Sequence, residues 1–131
     1  MKLVLDASAA AAIVMQRREA ADLHRQVRSA EVVRSPDLIV PELTNVFWKY
    51  RTRAHIDPER CARALSQAIR LPDELVPCIE LHEEVLELAT QTGHPAYDAF
   101  YLVLARRTAA RLLTLDRRLA TLARELRIEV V

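Results

Sequence analysis

Lys2-Leu3-Val4-Leu5-Asp6 opens the chain as an apolar run that stops on a carboxylate, and Arg111-Leu112-Leu113-Thr114-Leu115-Asp116 repeats the pattern near its end. Short apolar runs of this kind read as strands buried on both faces. Candidate strands lie at residues 3–5, 32–33, 75–77, 112–114 and 128–131, with longer helical patterns between them. That alternation is the mark of βαβ construction. Crossovers between parallel strands are right-handed, so the expected α/β architecture is a mostly parallel sheet of about five strands with helices on both faces. Pro77 suits an edge strand. In such a sheet the carboxyl ends of neighbouring strands converge on one crevice, where ligands bind. Asp6 and Asp116 are then expected to share a site. Glu42 and Asp98, each just after a proline at a helix start, can complete a ring of oxygens. Carboxylates gathered without matching bases call for a hard divalent cation.

The helices between the strands carry their own signals. Ser8 is the expected cap of a helix beginning at Ala9, which would leave Asp6 free for another role. Asp57-Pro58-Glu59 combines a capping acid, a first-turn proline and a second acid that the dipole favours. The segment at residues 83–92 should stop near Gly93, the one glycine of the chain. Tyr97, Phe100, Tyr101 and Leu104 recur at helical spacing after Pro95, and Asp116 heads the last helix.

Composition narrows the function. At 131 residues, 51% hydrophobic and 28% charged, the chain is long and apolar enough for a folded domain. A single glycine excludes the multi-glycine phosphate loops. The net charge of +1 is not that of a basic nucleic-acid clamp. With four acids set aside in one crevice, however, the remaining surface is more positive than the sum. Arg17, Arg51, Arg117 and Arg118 are among the arginines that can rim it. Cys61 and Cys78 show no paired or zinc-ligand spacing and read as small core residues. No apolar stretch reaches membrane-spanning length and no leader precedes the first strand, so the expected location is the cytoplasm. His24, His55, His82 and His94 are scattered without ligand spacing. Trp48 and Tyr101 can stack on bases, but among apolar neighbours both read as core.

An acid at a buried strand end is costly unless paired or bound to a metal, which favours a functional Asp6. Glu42 and Asp98 are equally good dipole complements in a first helical turn, and Asp116 is equally good as an N-cap. Singly these signals are weak; their order is more telling. Leu5-Asp6-Ala7-Ser8-Ala9, Pro41-Glu42-Leu43-Thr44-Asn45, Tyr97-Asp98-Ala99-Phe100-Tyr101-Leu102 and Leu113-Thr114-Leu115-Asp116-Arg117-Arg118-Leu119 follow one another at separations that resemble the PIN-domain ribonucleases. The resemblance is specifically to the VapC-like toxins of bacterial type II toxin–antitoxin modules, and it runs over essentially the whole chain.

The resemblance implies a single PIN domain over residues 1–131, built as a three-layer sandwich. Asp6, Glu42, Asp98 and Asp116 match the family's acidic quartet, which holds Mg²⁺ or Mn²⁺. Asp6 and Asp98 are expected as direct ligands, Asp116 directly or through water, and Glu42 as the group that orients or deprotonates the attacking water. Ser8, Asn45 and Thr114 match polar companions of the quartet. The implied activity is metal-dependent endoribonucleolytic hydrolysis, with RNA as substrate, a cognate antitoxin as partner and a homodimer as the assembly. The antitoxin helix would lie in an apolar groove, expected here from residues 9–15 and 20–27 with Phe47, Trp48 and Tyr50.

Three rival readings remain. A haloacid-dehalogenase-like phosphatase shares the strand-end aspartate but wants a second acid two residues on, where this chain has Ser8. A housekeeping PIN nuclease of RNA processing shares the chemistry and differs in substrate. A non-catalytic α/β binding module would use the four acids only to cap helices, and would gain no stability from Mn²⁺.

Overall fold

The computed structural model describes residues 1–131. The chain runs β1 (Lys2–Leu5), α1 (Ala7–Val14), α2 (Ala20–Ser29), β2 (Val32–Pro36), α3 (Ile39–Thr52), α4 (Pro58–Ile69) and β3 (Glu74–Val76). After a short 3-10 turn (Cys78–Glu80) it continues with α5 (His82–Thr92), α6 (Ala96–Thr108), β4 (Arg111–Leu113) and α7 (Arg117–Glu125). The strands form one parallel sheet in the order β3-β2-β1-β4. β2 and β3 lie on one side of β1 and β4 on the other. That order places the topological switch point between β1 and β4, at the ends marked by Asp6 and Asp116.

Side chains alternate across the sheet with period two. Leu3, Leu5, Val33 and Leu113 pack under α1, α3 and α4, while Val4 and Leu112 pack under α5, α6 and α7. The result is the expected three-layer α/β sandwich. β1 lies in the middle, with Leu3, Val4 and Leu5 almost wholly buried. α1 is apolar nearly all round because it is enclosed nearly all round: Ala9, Ala10, Ala11, Ala12 and Ile13 are all buried. No helix is long and apolar enough to cross a membrane.

The structure corrects several local expectations. The fifth strand is absent: the segment at residues 128–131 makes only a single parallel bridge, Leu112 to Val130. Hydrogen bonds from Leu112 N to Glu129 O and from Val131 N to Leu112 O hold it beside β4 without a ladder. Pro77 falls just past β3, which is indeed an edge strand. Trp48 is 53% exposed and Tyr97 is 65% exposed, so neither belongs to the core. α6 buries Tyr101, Leu102, Val103, Leu104 and Ala105 in succession, more than a stripe, because it fills the space between sheet, α5 and α7. Cys61 is buried, but Cys78 is only partly so and sits in the 3-10 turn.

Helix ends follow the local chemistry. Asp57 caps α4 by accepting from Arg60 N at 3.0 Å, and Gly93 ends α5 in the left-handed region at φ 71°. Ala109 ends α6 in the same region at φ 51° without glycine's freedom. Ala109→Gly is therefore expected to raise stability by up to about 1 kcal/mol, since an L side chain is strained there. A thermal melt checks this, and a variant that melts below wild type contradicts it.

Candidate functional site

The strand ends build the site. β1 stops at Leu5, and Asp6 N donates to Leu113 O at 3.2 Å, holding the two strand ends together. Ser35, fully buried at the end of β2, donates to Leu5 O at 2.6 Å. That anchor was not legible in the sequence, where a serine before a proline reads as ordinary loop.

Asp6, not Ser8, caps α1. The helix begins at Ala7, two residues earlier than Ser8 would require, because β1 ends immediately before it. Asp6 has an extended backbone (φ −95°, ψ 171°), and its Oδ1 accepts from Ala9 N at 2.9 Å. Ser8 instead lies within the first turn and joins the two loops. Its hydroxyl is 2.7 and 2.9 Å from the two Asp6 carboxylate oxygens, and it accepts from Leu115 N at 3.0 Å. Thr114, also buried, donates to Asp6 Oδ2 at 2.5 Å and accepts from Asp116 N at 2.9 Å. Capping thus satisfies part of the Asp6 carboxylate without relieving its burial.

Asp116 caps α7, accepting at Oδ1 from Arg118 N (2.9 Å) and Leu119 N (3.2 Å). Asp98, in the first turn of α6, receives Arg118 Nη2 at 3.1 Å. Glu42, in the first turn of α3, accepts from the Tyr101 hydroxyl at 2.6 Å through Oε1. Tyr101 is therefore both core and site, a pairing across 59 positions that no local pattern announces. Asn45 is exposed one turn along α3 and makes no hydrogen bond to these residues. None of the four histidines joins them.

The four acids sense one another. Burial pushes Asp6 up to about 6, against the lowering influence of its Thr114, Ala9 and Ser8 hydrogen bonds, and the charge of Asp116 adds to the rise. Glu42 is also raised, first by burial and further by the charges of Asp6 and Asp98, while the Tyr101 hydrogen bond opposes the shift. Tyr101 itself is held far above the usual phenol range, chiefly by burial and then by Glu42. As the side chains stand, no three acidic, histidine or cysteine groups form a cation cage. The reason is visible: each carboxylate is turned toward a donor of the chain itself, Asp98 toward Arg118. The donor set, carboxylate and hydroxyl oxygens throughout, nevertheless suits a hard cation. The mutual repulsion of the acids is what such a charge would relieve.

The raised Asp6 has a consequence for stability. A carboxyl whose folded pKa lies above its unfolded value stabilises the fold below the unfolded value, and that contribution is lost as pH rises through the folded one. The unfolded reference is 3.8 and the folded value about 6, so the loss spans roughly pH 4 to 6. Without divalent metal, Asp6→Asn should therefore gain stability relative to wild type across that window, by up to about 3 kcal/mol. Chelated melts of both proteins at several pH values check this; a constant difference contradicts it.

Residues 3–125 match the PIN domain family, and the chain belongs to that family. It is 34% identical over 126 residues to Ribonuclease VapC3 of Pyrobaculum aerophilum, an alignment covering 92% of this chain and 93% of the relative. Two solved structures share the fold. The crystal structure of PAE2754 from Pyrobaculum aerophilum superposes with a TM-score of 0.72 at 24% identity, over 92% of this chain and 78% of that one. VapC20 of Mycobacterium tuberculosis, described as a sarcin-ricin loop cleaving toxin, gives 0.63 at 17% identity, over 92% and 94%.

Proposed function

We propose that residues 1–131 are a single PIN domain acting in the cytoplasm as a metal-dependent endoribonuclease, the toxin of a type II toxin–antitoxin pair. The observation that carries the reading is the gathering of Asp6, Glu42, Asp98 and Asp116 at the β1–β4 switch point, with Asp6 and Glu42 each raised partly by the charges of the others. The 34% identity to a VapC ribonuclease over nearly the whole chain supports the nuclease class.

Phosphodiester hydrolysis needs a nucleophile at neutral pH and a counter-charge for the pentavalent transition state. A bound Mg²⁺ or Mn²⁺ would supply Lewis acidity and an acidified water. Asp6, Asp98 and Asp116 are the residues that would hold it. Thr114 and Ser8 fix the Asp6 carboxylate, and Thr114 also fixes the Asp116 backbone, so both strand-end acids are placed by one hydroxyl pair. Tyr101 holds one oxygen of Glu42 and leaves the other to orient water. With its affinity for a proton raised, Glu42 is a better base at neutral pH than an ordinary glutamate.

Toxin action implies an antitoxin. Around the expected groove at α1 and α2, most of α1 is spent on covering the sheet. A depression of about 570 Å³ does lie between the end of α1, α2 and α4, but it is rimmed by Arg17, Arg18 and His24. A more apolar one of about 260 Å³ lies between α3 and α4, lined by Phe47, Trp48, Cys61 and Leu65. The exposure of Trp48 fits a partner helix seated there. Homodimerisation belongs to the same reading.

The experiment is expression alone and with the neighbouring upstream gene, followed by co-purification, light scattering and RNA cleavage in Mg²⁺ or Mn²⁺. Growth arrest relieved by the neighbour is the expected result. A harmless monomer that binds no neighbour-encoded protein yet cleaves RNA would remove the toxin reading and leave the nuclease; absence of cleavage would remove both.

A further inference from the structure

The four acids touch one cationic side chain, Arg118, which donates to Asp98 at 3.1 Å from a position that is itself 61% exposed. On the next face of the same helix, Arg117, Thr121 and Arg124 recur at i, i+4 and i+7 and so share one side of α7. They line a depression of about 400 Å³ whose other walls include Thr114, Asp116 and Val130. The depression is therefore continuous with the candidate site, sharing two of its residues.

Several arginines of this chain are unpaired, and Arg117 and Arg124 are the ones among them that line this depression beside Asp116. Arg25, Arg34, Arg63, Arg106, Arg107 and Arg111 are each paired with an acid elsewhere on the surface. Arg117 and Arg124 take part in no ion pair. Two free guanidiniums beside an acidic centre do nothing evident for the fold: both are exposed and neither is held, while Thr121 between them donates its hydroxyl to Arg117 O at 2.9 Å. Guanidinium is suited to phosphate, and seven residues of helix separate the two arginines by about 10 Å along the axis.

We propose that α7 is the backbone track for the RNA strand. Arg117 and Arg124 take phosphates leading to Asp116, and Arg118 is a phosphate ligand held in reserve by Asp98. While the acids lack a cation, Arg118 supplies one of the missing charges. When a divalent ion takes Asp98, the exposed guanidinium turns outward to the strand at little cost, because solvent-exposed pairs of this kind are weak. The inference rests on the nuclease reading and adds to it the path of the substrate and the residues that define it.

Binding of a mixed-sequence single-stranded oligoribonucleotide, followed by fluorescence anisotropy in Mn²⁺ over a range of NaCl, tests the track. Arg117→Ala and Arg124→Ala should each weaken binding by about threefold or more at low salt. Each should also flatten the dependence of log affinity on log salt by about 0.7, the value for one lost phosphate contact on a single strand. Their Mn²⁺-induced thermal shift should match wild type. Arg118→Ala should move the two readouts in opposite directions, binding RNA more weakly and Mn²⁺ up to about fivefold more tightly. Arg118→Lys should recover most of the RNA binding. Arg63→Ala, on the exposed face of α4, is the control.

Wild-type affinity and salt slope in Arg117→Ala and Arg124→Ala, or losses no greater than in Arg63→Ala, would overturn the track. So would a wild-type protein that does not bind single-stranded RNA. Unchanged Mn²⁺ affinity in Arg118→Ala would overturn the reserve role of that residue. A wild-type protein with arginine-dependent RNA binding but no cleavage would sink the nuclease reading and leave the track standing.

Discussion

Asp6→Asn and Asp98→Asn are expected to lose RNA cleavage by at least about a hundredfold, the scale set by losing even an indirect metal partner, while remaining folded. Both carboxylates carry charge that a hard cation needs and that the fold does not. Asp6 is almost wholly buried, and ionising it costs stability, as its rise to about 6 records. An amide keeps an oxygen for Ala9 N and Ser8, though its NH₂ must replace an acceptor facing Thr114, so part of the gain from removing the charge is offset. Asp98 is bonded to an exposed arginine, and its loss frees Arg118 without opening the core. Activity should therefore collapse in both variants with melting temperatures near or above wild type in chelator. Cleavage at wild-type rates by either protein would remove it from the catalytic set. Loss of cleavage accompanied by unfolding would show a structural role instead.

Millimolar Mn²⁺ is expected to raise the wild-type melting temperature by about 5–10 °C at a hundredfold excess over its dissociation constant, because a ligand that binds only the native state adds about 2.7 kcal/mol there. Burial, with a smaller contribution from neighbouring carboxylates, burdens the charged forms of Asp6 and Glu42 in the metal-free protein, so the ion relieves a cost as well as adding contacts. Asp6→Asn and Asp98→Asn should respond less. A wild-type melting curve indifferent to Mn²⁺ would favour the binding-module reading, in which Asp6 and Asp116 simply cap α1 and α7. Both residues do cap, so the capping geometry by itself decides nothing. The metal titration separates a cap from a ligand that also caps.

How much of this was legible beforehand differs from element to element. The apolar runs ending on Asp6 and Asp116 announced two strand ends, because a strand buried on both faces must be apolar throughout and must stop where a charge appears. Asp57-Pro58 and Gly93 announced helix ends for similarly local reasons. The family likeness followed from four short motifs in sequence, whereas the pairing of β4 with β1 belongs to the sheet order and was not legible.

Other features depended on what each segment meets. Whether residues 128–131 form a strand was decided by the room beside β4, where one bridge formed in place of a ladder. Whether Ser8 or Asp6 caps α1 was decided by how soon the helix could start after Leu5. Trp48 stays exposed because α4 leaves an open groove beside it, which helical periodicity on α3 does not report. The hydrogen bond from Tyr101 to Glu42, the bond from Ser35 to Leu5 and the ion pair between Arg118 and Asp98 each join distant parts of the chain. The sequence by itself determined the sheet's parallel sense, its apolar strands and the strand-end places of Asp6 and Asp116, since these follow from periodicity and chain order. Only the tertiary structure decided which donor each acid faces and how strongly burial holds the proton on Asp6, because desolvation and hydrogen bonding are properties of neighbours that the linear chain keeps far apart.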